Sequence, residues 1–180
     1  MKSTQAMTPE LVWDYSTSDI PDAGLEATRT AAPDELNSVA RALDIVACES
    51  LVAMYSIMPS HAGRYVVAGS IRARVVQACV VTLDPVATTI VAEFRAAFWP
   101  EEEITLPKGG VLDFDEDAEP EPIVKGQIGV GRVVFECLAE NLEPYPRKPG
   151  ATLDWQEPAA ISDTKPESPF SVLANIKTKR

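Results

Sequence analysis

Between Ile45 and Trp99 the chain alternates apolar and polar residues in three runs joined by two short turns. A period of two belongs to extended strands, whose successive side chains point to opposite faces. Ile45–Met58 carries Leu51, Ala53, Tyr55 and Ile57 at alternate positions, and Pro59 to Gly63 reads as a turn. In Arg64–Val81, residues Tyr65, Val67, Ile71, Ala73 and Val75 point one way, while Arg64, Ser70, Arg72 and Arg74 point the other. Leu83-Asp84-Pro85 turns the chain into Val86–Trp99, with Val86, Ile90, Ala92, Phe94 and Phe98 opposite Thr89, Glu93 and Arg95. Short connections between alternating runs specify an antiparallel sheet with one buried and one wet face. Gly69 inside the second strand signals a bulge or a close approach.

Helical periodicity flanks this sheet. Pro33–Leu43 opens on a proline suited to the first helical turn, has Asp34 and Glu35 near its N-terminus, and lines up Leu36, Val39, Ala40 and Leu43. Its nominal cap, Ala32, is a poor one. Ile128–Leu142 repeats the pattern with Val130, Val133, Val134, Cys137, Leu138 and Leu142, and Pro144 to Gly150 stops it. Leu11–Tyr15 suggests an edge strand, and Asp19–Gly24 a turn. The expected fold class is therefore α+β: an antiparallel β-sheet meander with two to three packed helices. Residues 100–126, rich in Glu, Asp, Pro and Gly, read as a mobile acidic loop. The expected division is one α+β domain over 1–150, a flexible linker over 151–167, and an extended C-terminal tail ending in a short helix over 168–180. That last segment has Ser168 as cap, Pro169 at the first position, an apolar stripe of Phe170, Leu173 and Ile176, and then Lys177, Lys179 and Arg180.

The net charge of −11 argues against a general nucleic-acid binder and favours basic partners, although a local basic patch can still meet RNA. The first ten residues lack an apolar signal-peptide core, and no run of about 18 apolar residues could span a membrane. Three widely spaced cysteines, Cys48, Cys79 and Cys137, give no disulfide framework. The expectation is a cytoplasmic protein with reduced thiols.

Candidate chemistry is sparse. Asp113-Phe-Asp115-Glu-Asp117 imitates a calcium loop, but Ala118 stands at the glycine position and Val124 at the bidentate glutamate position. Cys48, Cys79, Cys137 and His61 lack the close spacing that pre-aligns zinc ligands. His61 lies in a turn, without a neighbouring nucleophile or orienting acid. The glycines 126, 129 and 131 precede a helix, as in phosphate-binding loops, but their spacing is wrong. No catalytic residue, metal, cofactor or small-molecule substrate is expected. The informative side chains are basic: Arg64, Arg72 and Arg74 on one strand face, Arg147-Lys148, and the terminal Lys177, Lys179 and Arg180. Arginine forks match phosphate oxygens.

Gln77-Ala-Cys79-Val-Val-Thr-Leu83-Asp-Pro-Val86, the acidic loop, the long helix, Glu143-Pro-Tyr-Pro-Arg-Lys-Pro-Gly150 and Pro169-Phe-Ser-Val-Leu-Ala-Asn-Ile-Lys177 occur in that order. This order resembles the YceD family of large-ribosomal-RNA accumulation proteins, in its alphaproteobacterial form, from about Leu11 to the end. The resemblance implies a bacterial cytosolic protein that supports accumulation of large-subunit (23S) ribosomal RNA, with no established catalysis. Many relatives carry a Cys-x-x-Cys pair where Cys79 lies and further cysteines after the long helix. Here Thr82 replaces the second cysteine and 144–155 has none, so a zinc site lacks its ligands. Relatives also start the long helix with Ile-Asp-Leu-Gly, whereas this chain has Ile128-Gly-Val-Gly131. The expected function is a non-catalytic ribosome biogenesis factor that binds large-subunit rRNA or a large-subunit protein. The expected binding residues are Arg64, Arg72, Arg74, Arg147, Lys148, Phe170, Leu173, Lys177, Lys179 and Arg180. The alternative is an acidic adaptor or chaperone for a basic ribosomal protein, without RNA contact. A third reading, a hydrolase or redox enzyme using Cys79 or Cys137, has the least behind it.

Overall fold

A computed structural model describes residues 11–104 and 120–152. Its framework is a five-stranded sheet ordered β2-β3-β4-β5-β6: β2 Leu25–Thr30, β3 Ala47–Pro59, β4 Tyr65–Ala78, β5 Pro85–Pro100 and β6 Glu121–Ile123. All neighbours are antiparallel except β6, which runs parallel to β5. A two-stranded ribbon pairs β1 (Asp14–Ser16) with β7 (Gln127–Gly129). Helices α1 (Pro33–Ala42) and α2 (Val130–Glu140) complete the described elements. The class is mixed α+β around a mostly antiparallel sheet.

The three alternating runs are β3, β4 and β5, and their registers bring the apolar sets onto one face. Leu51, Ala53 and Ile57 align with Ala73, Ile71 and Val67, which in turn align with Ile90, Ala92 and Ala96. Helix α2 lays Val130, Val134 and Leu138, all fully buried, against this face, and α1 adds Val39. Each such burial contributes about 1.5–3 kcal/mol. Gly69 is a site of close approach in an unbroken register: a Cβ there would collide with the Met54 carbonyl and with Tyr55. The Tyr55 and Phe94 rings, from the strands on either side, come within 6.5 Å of each other and cover the gap. The register shift lies elsewhere, between Cys48 and Ser50.

Three regions differ from the sequence expectation. Strand β2 has only Leu25 and Ala27 as an inward apolar pair, too short a pattern to stand out. The acidic stretch is not a loop throughout. Pro100 ends β5, Glu101–Glu103 form a 3-10 turn, and β6 buries Ile123 against the core. Residues 105–119, the centre of that stretch, lie outside the described residues. The long helix starts at Val130 and stops at Glu140, because Gln127–Gly129 is taken up by β7. Before it, Lys125 and Gly126 both adopt positive φ (52° and 72°), and the Gln127 N–H donates to the Val124 carbonyl at 3.0 Å, a two-residue hairpin turn. The linker and the terminal helix, 153–180, also lie outside the described residues.

Both helix starts use caps that their own cap residues cannot supply. The Glu35 carboxylate accepts the Ala32 N–H at 2.7 Å, half of a capping box, and its other oxygen accepts the Trp13 indole N–H at 3.0 Å. At α2 the Trp13 carbonyl accepts the N–H groups of Val130 (3.1 Å) and Gly131 (3.4 Å). Gly131 permits this approach, since a Cβ there would strike the Leu11 carbonyl. Gly131 therefore serves packing and Gly126 the turn, and two amides that a phosphate would need are already satisfied.

Candidate functional site

Both helices pack on one face of the main sheet, and no described element covers the other. This face is built from alternate positions: Glu26, Thr28 and Thr30 of β2; Ser50, Val52, Met54, Ser56 and Met58 of β3; Val66 to Arg74 of β4; Thr89 to Ala97 of β5. Several apolar side chains on it meet solvent: Met54 is 57% exposed, Met58 46% and Val91 65%. At its centre the small residues Ser56, Ala68 and Ser70 floor an open groove of about 1030 Å³, with Glu26 on the β2 side and Glu93 and Arg95 on the β5 side. Short side chains between longer ones create that depression.

The expected arginine patch is only partly assembled here. Arg72 is exposed and flanked in register by Val52 and Val91. Arg74 is held by Glu49 at 2.6 Å. The register shift between Cys48 and Ser50 leaves Glu49 without a cross-strand partner, and this is what brings it to Arg74. Arg64 precedes β4 and stands eight residues, about 26 Å, from Arg72. Its guanidinium lies 3.9 Å from the Trp99 ring centroid and 2.8 Å from Glu103. Arg95, absent from the expected binding residues, joins Arg72 on the uncovered face, and neither takes part in an ion pair among the described residues. Its signal is present in the sequence, at an even step from Glu93 and Thr89, but alternation alone marks such a residue only as belonging to the wet side.

A second constellation surrounds the β4–β5 turn. Gln77 Nε2 donates to the Glu143 carbonyl (2.9 Å), the Val80 N–H to the Pro146 carbonyl (2.9 Å), and the Lys148 N–H to Cys79 Sγ (3.4 Å). Lys148 Nζ also lies 3.1 Å from Asp84, whose carboxyl is held below its usual range by this ammonium and by the Thr82 hydroxyl. Segment 143–148 is thus strapped across the turn. Cys79 is sealed from solvent, and burial alone would raise its pKa. The Lys148 amide, and after it the Thr82 hydroxyl and amide, outweigh that and lower it to about 6. Arg147 is exposed beside this strap, whereas Lys148 is engaged in it.

The other thiols lie apart. Cys48 Sγ donates to the Ser50 carbonyl and Cys137 Sγ to the Glu93 carbonyl, and burial raises both pKa values. Among the described residues no group of three His, Cys, Asp or Glu could hold a metal ion, and no helix is long and apolar enough to cross a membrane. The expected binding residues Phe170, Leu173, Lys177, Lys179 and Arg180 lie outside the described residues.

Fold and surface together define an α+β protein on a sheet covered on one side only, with its strands β4 and β5, α2 and the strap forming a continuous unit. The family model described as "Large ribosomal RNA subunit accumulation protein YceD" matches residues 67–177, more than half of the chain, and the protein belongs to the YceD family. That description gives the family a role in accumulation of large-subunit ribosomal RNA. Neither the curated proteins nor the solved structures gave a match.

Proposed function

We propose that this chain is a non-catalytic, cytoplasmic factor of large-subunit assembly that binds ribosomal RNA through the uncovered face of its main sheet. One observation carries the reading: this face is open, yet it presents Arg72 and Arg95 among the hydroxyls of Thr28, Thr30 and Thr89. Guanidinium and hydroxyl donors are the groups that contact phosphate and sugar oxygens. Such contacts position a protein on RNA without reading its sequence, which suits a protein whose net charge forbids indiscriminate binding. The test is co-sedimentation with large-subunit precursors at low and moderate salt. Binding that weakens with salt, and is lost in an Arg72→Glu/Arg95→Glu variant, supports the reading. Binding unaffected by that variant overturns it.

A second reading, an adaptor for a basic ribosomal protein, has its own support. Arg64 and Arg74 are each met by a carboxylate of the chain, Glu103 and Glu49, which removes two of the three arginines from phosphate duty. The acids of 105–119 would then be the working part. A deletion confined to 105–119 spares β6 and the Arg64–Glu103 pair, and should abolish capture of a basic large-subunit protein. Survival of the complex rules this reading out.

A further inference from the structure

We propose that residues 168–180 of this chain bind in cis to the groove on the uncovered sheet face. The face needs a cover, and the chain carries a segment that needs a surface. Met54, Met58 and Val91 are close to half exposed or more, an unusual grouping for a single face. The terminal sequence offers the complement: Phe170, Leu173 and Ile176 at helical spacing, followed by Lys177, Lys179 and Arg180.

Dimensions agree. The groove runs between β2 and β5, three strand spacings or about 14 Å apart. A helix with its side chains is about 10–12 Å across. Its floor of Ser56, Ala68 and Ser70 leaves room for larger incoming side chains. Reach agrees as well. Lys148 is anchored at Cys79, nine residues or about 30 Å along β4 from Ser70. The 15 residues of 153–167 span at most about 50 Å.

Charge favours this occupant. Glu26 and Glu93 stand on opposite walls and enter no ion pair among the described residues, and three terminal cations would meet them. Arg95 also lines the wall, so two carboxylates and one guanidinium face the incoming cations, a net charge of the complementary sign. The family match spans residues 67–177, and so includes both the stripe and the strands that supply Ala68, Ser70 and Glu93. Tethering places the segment at an effective concentration of about millimolar, enough for a modest interface to be occupied. Cis docking requires no RNA and no ribosomal protein, so its test is separate from that of the function proposed above, although the docked tail and RNA would compete for the face that Arg95 lines.

Methionine-methyl NMR of the isolated full chain tests it, because Met54 lines the groove and Met58 stands on the same face four positions further along β3. The substitutions Phe170→Asp/Leu173→Asp should shift both methyl signals, by an amount unchanged on tenfold dilution, while the signals of Met1 and Met7 stay in place. A second variant, Glu26→Lys/Glu93→Lys, should shift the amide signals of 168–180. Silence of both sets of signals overturns the proposal. A shift that disappears on dilution overturns it too, since the segment then binds a second copy.

Discussion

At the scale of single residues, the unusual thiol is Cys79. The Lys148 N–H donates to a sulfur that the strap 143–148 closes off, and with the Thr82 groups beside it the pKa falls to about 6. A depressed acid stabilises the fold above its unfolded pKa, ordinarily about 9, and loses that contribution as pH falls through the folded value. Relative to Cys79→Ser, the native chain should therefore gain stability as pH rises from about 6 to 9, measured by urea midpoints, and its thiolate absorbance should titrate near pH 6. A titration near pH 9 would show that the amides do not hold the sulfur. Gly131 gives a prediction of opposite sign to its propensity. Gly→Ala inside a helix ordinarily gains up to about 1 kcal/mol. Here the new methyl meets the Leu11 carbonyl, so Gly131→Ala should lose about 1–3 kcal/mol in denaturant melts.

Among the elements, α1 depends on a side chain that ties two regions together. Glu35 caps the helix through Ala32 and holds the Trp13 indole. Glu35→Ala should cost about 1–2 kcal/mol, with Glu35→Gln recovering part of it, read as thermal midpoints. The capping-box residue is legible in the sequence as an acid in the first turn. Its second bond is not, because nothing local connects residues 13 and 35. The same distinction separates what could be foreseen elsewhere. Strands β3, β4 and β5 announce themselves by period two, and α1 and α2 by period 3.6, because each buries one side along its whole length. Strand β2 and the short β6 and β7 exist through pairing and carry too few apolar residues to mark a period. For the candidate site, Arg72 and its face are legible. The Glu49–Arg74 pair is not, since it depends on a register shift, nor is the use of Arg64 by Trp99 and Glu103, which requires the ends of β4 and β5 to be side by side. Residue-level spacing also cannot place Cys79 against Lys148, 69 positions later.

For the whole molecule, the proposed binding surface and the buried core lie on opposite faces of one sheet. Reversing charge at Arg72 and Arg95 should lower association with large-subunit particles and reduce the salt slope by about 2, one for each phosphate that an arginine no longer neutralises. Both side chains are exposed, so the unfolding free energy should stay within about 0.5 kcal/mol of the native value. A matching drop in both measurements would mean that the variant disturbs the fold itself. The cap that Trp13 provides to α2 has a further consequence during synthesis. The carbonyl that receives Val130 and Gly131 is made early, and its helix more than 100 residues later. When β5 has left the ribosome, the apolar sheet face still lacks α2, about 40 residues behind, or on the order of 2–8 s at the usual pace of elongation. The nascent chain must keep Trp13 and that face apart from other molecules for this interval. Completion of the fold is then a ring closure, in which an early part of the chain receives a late one.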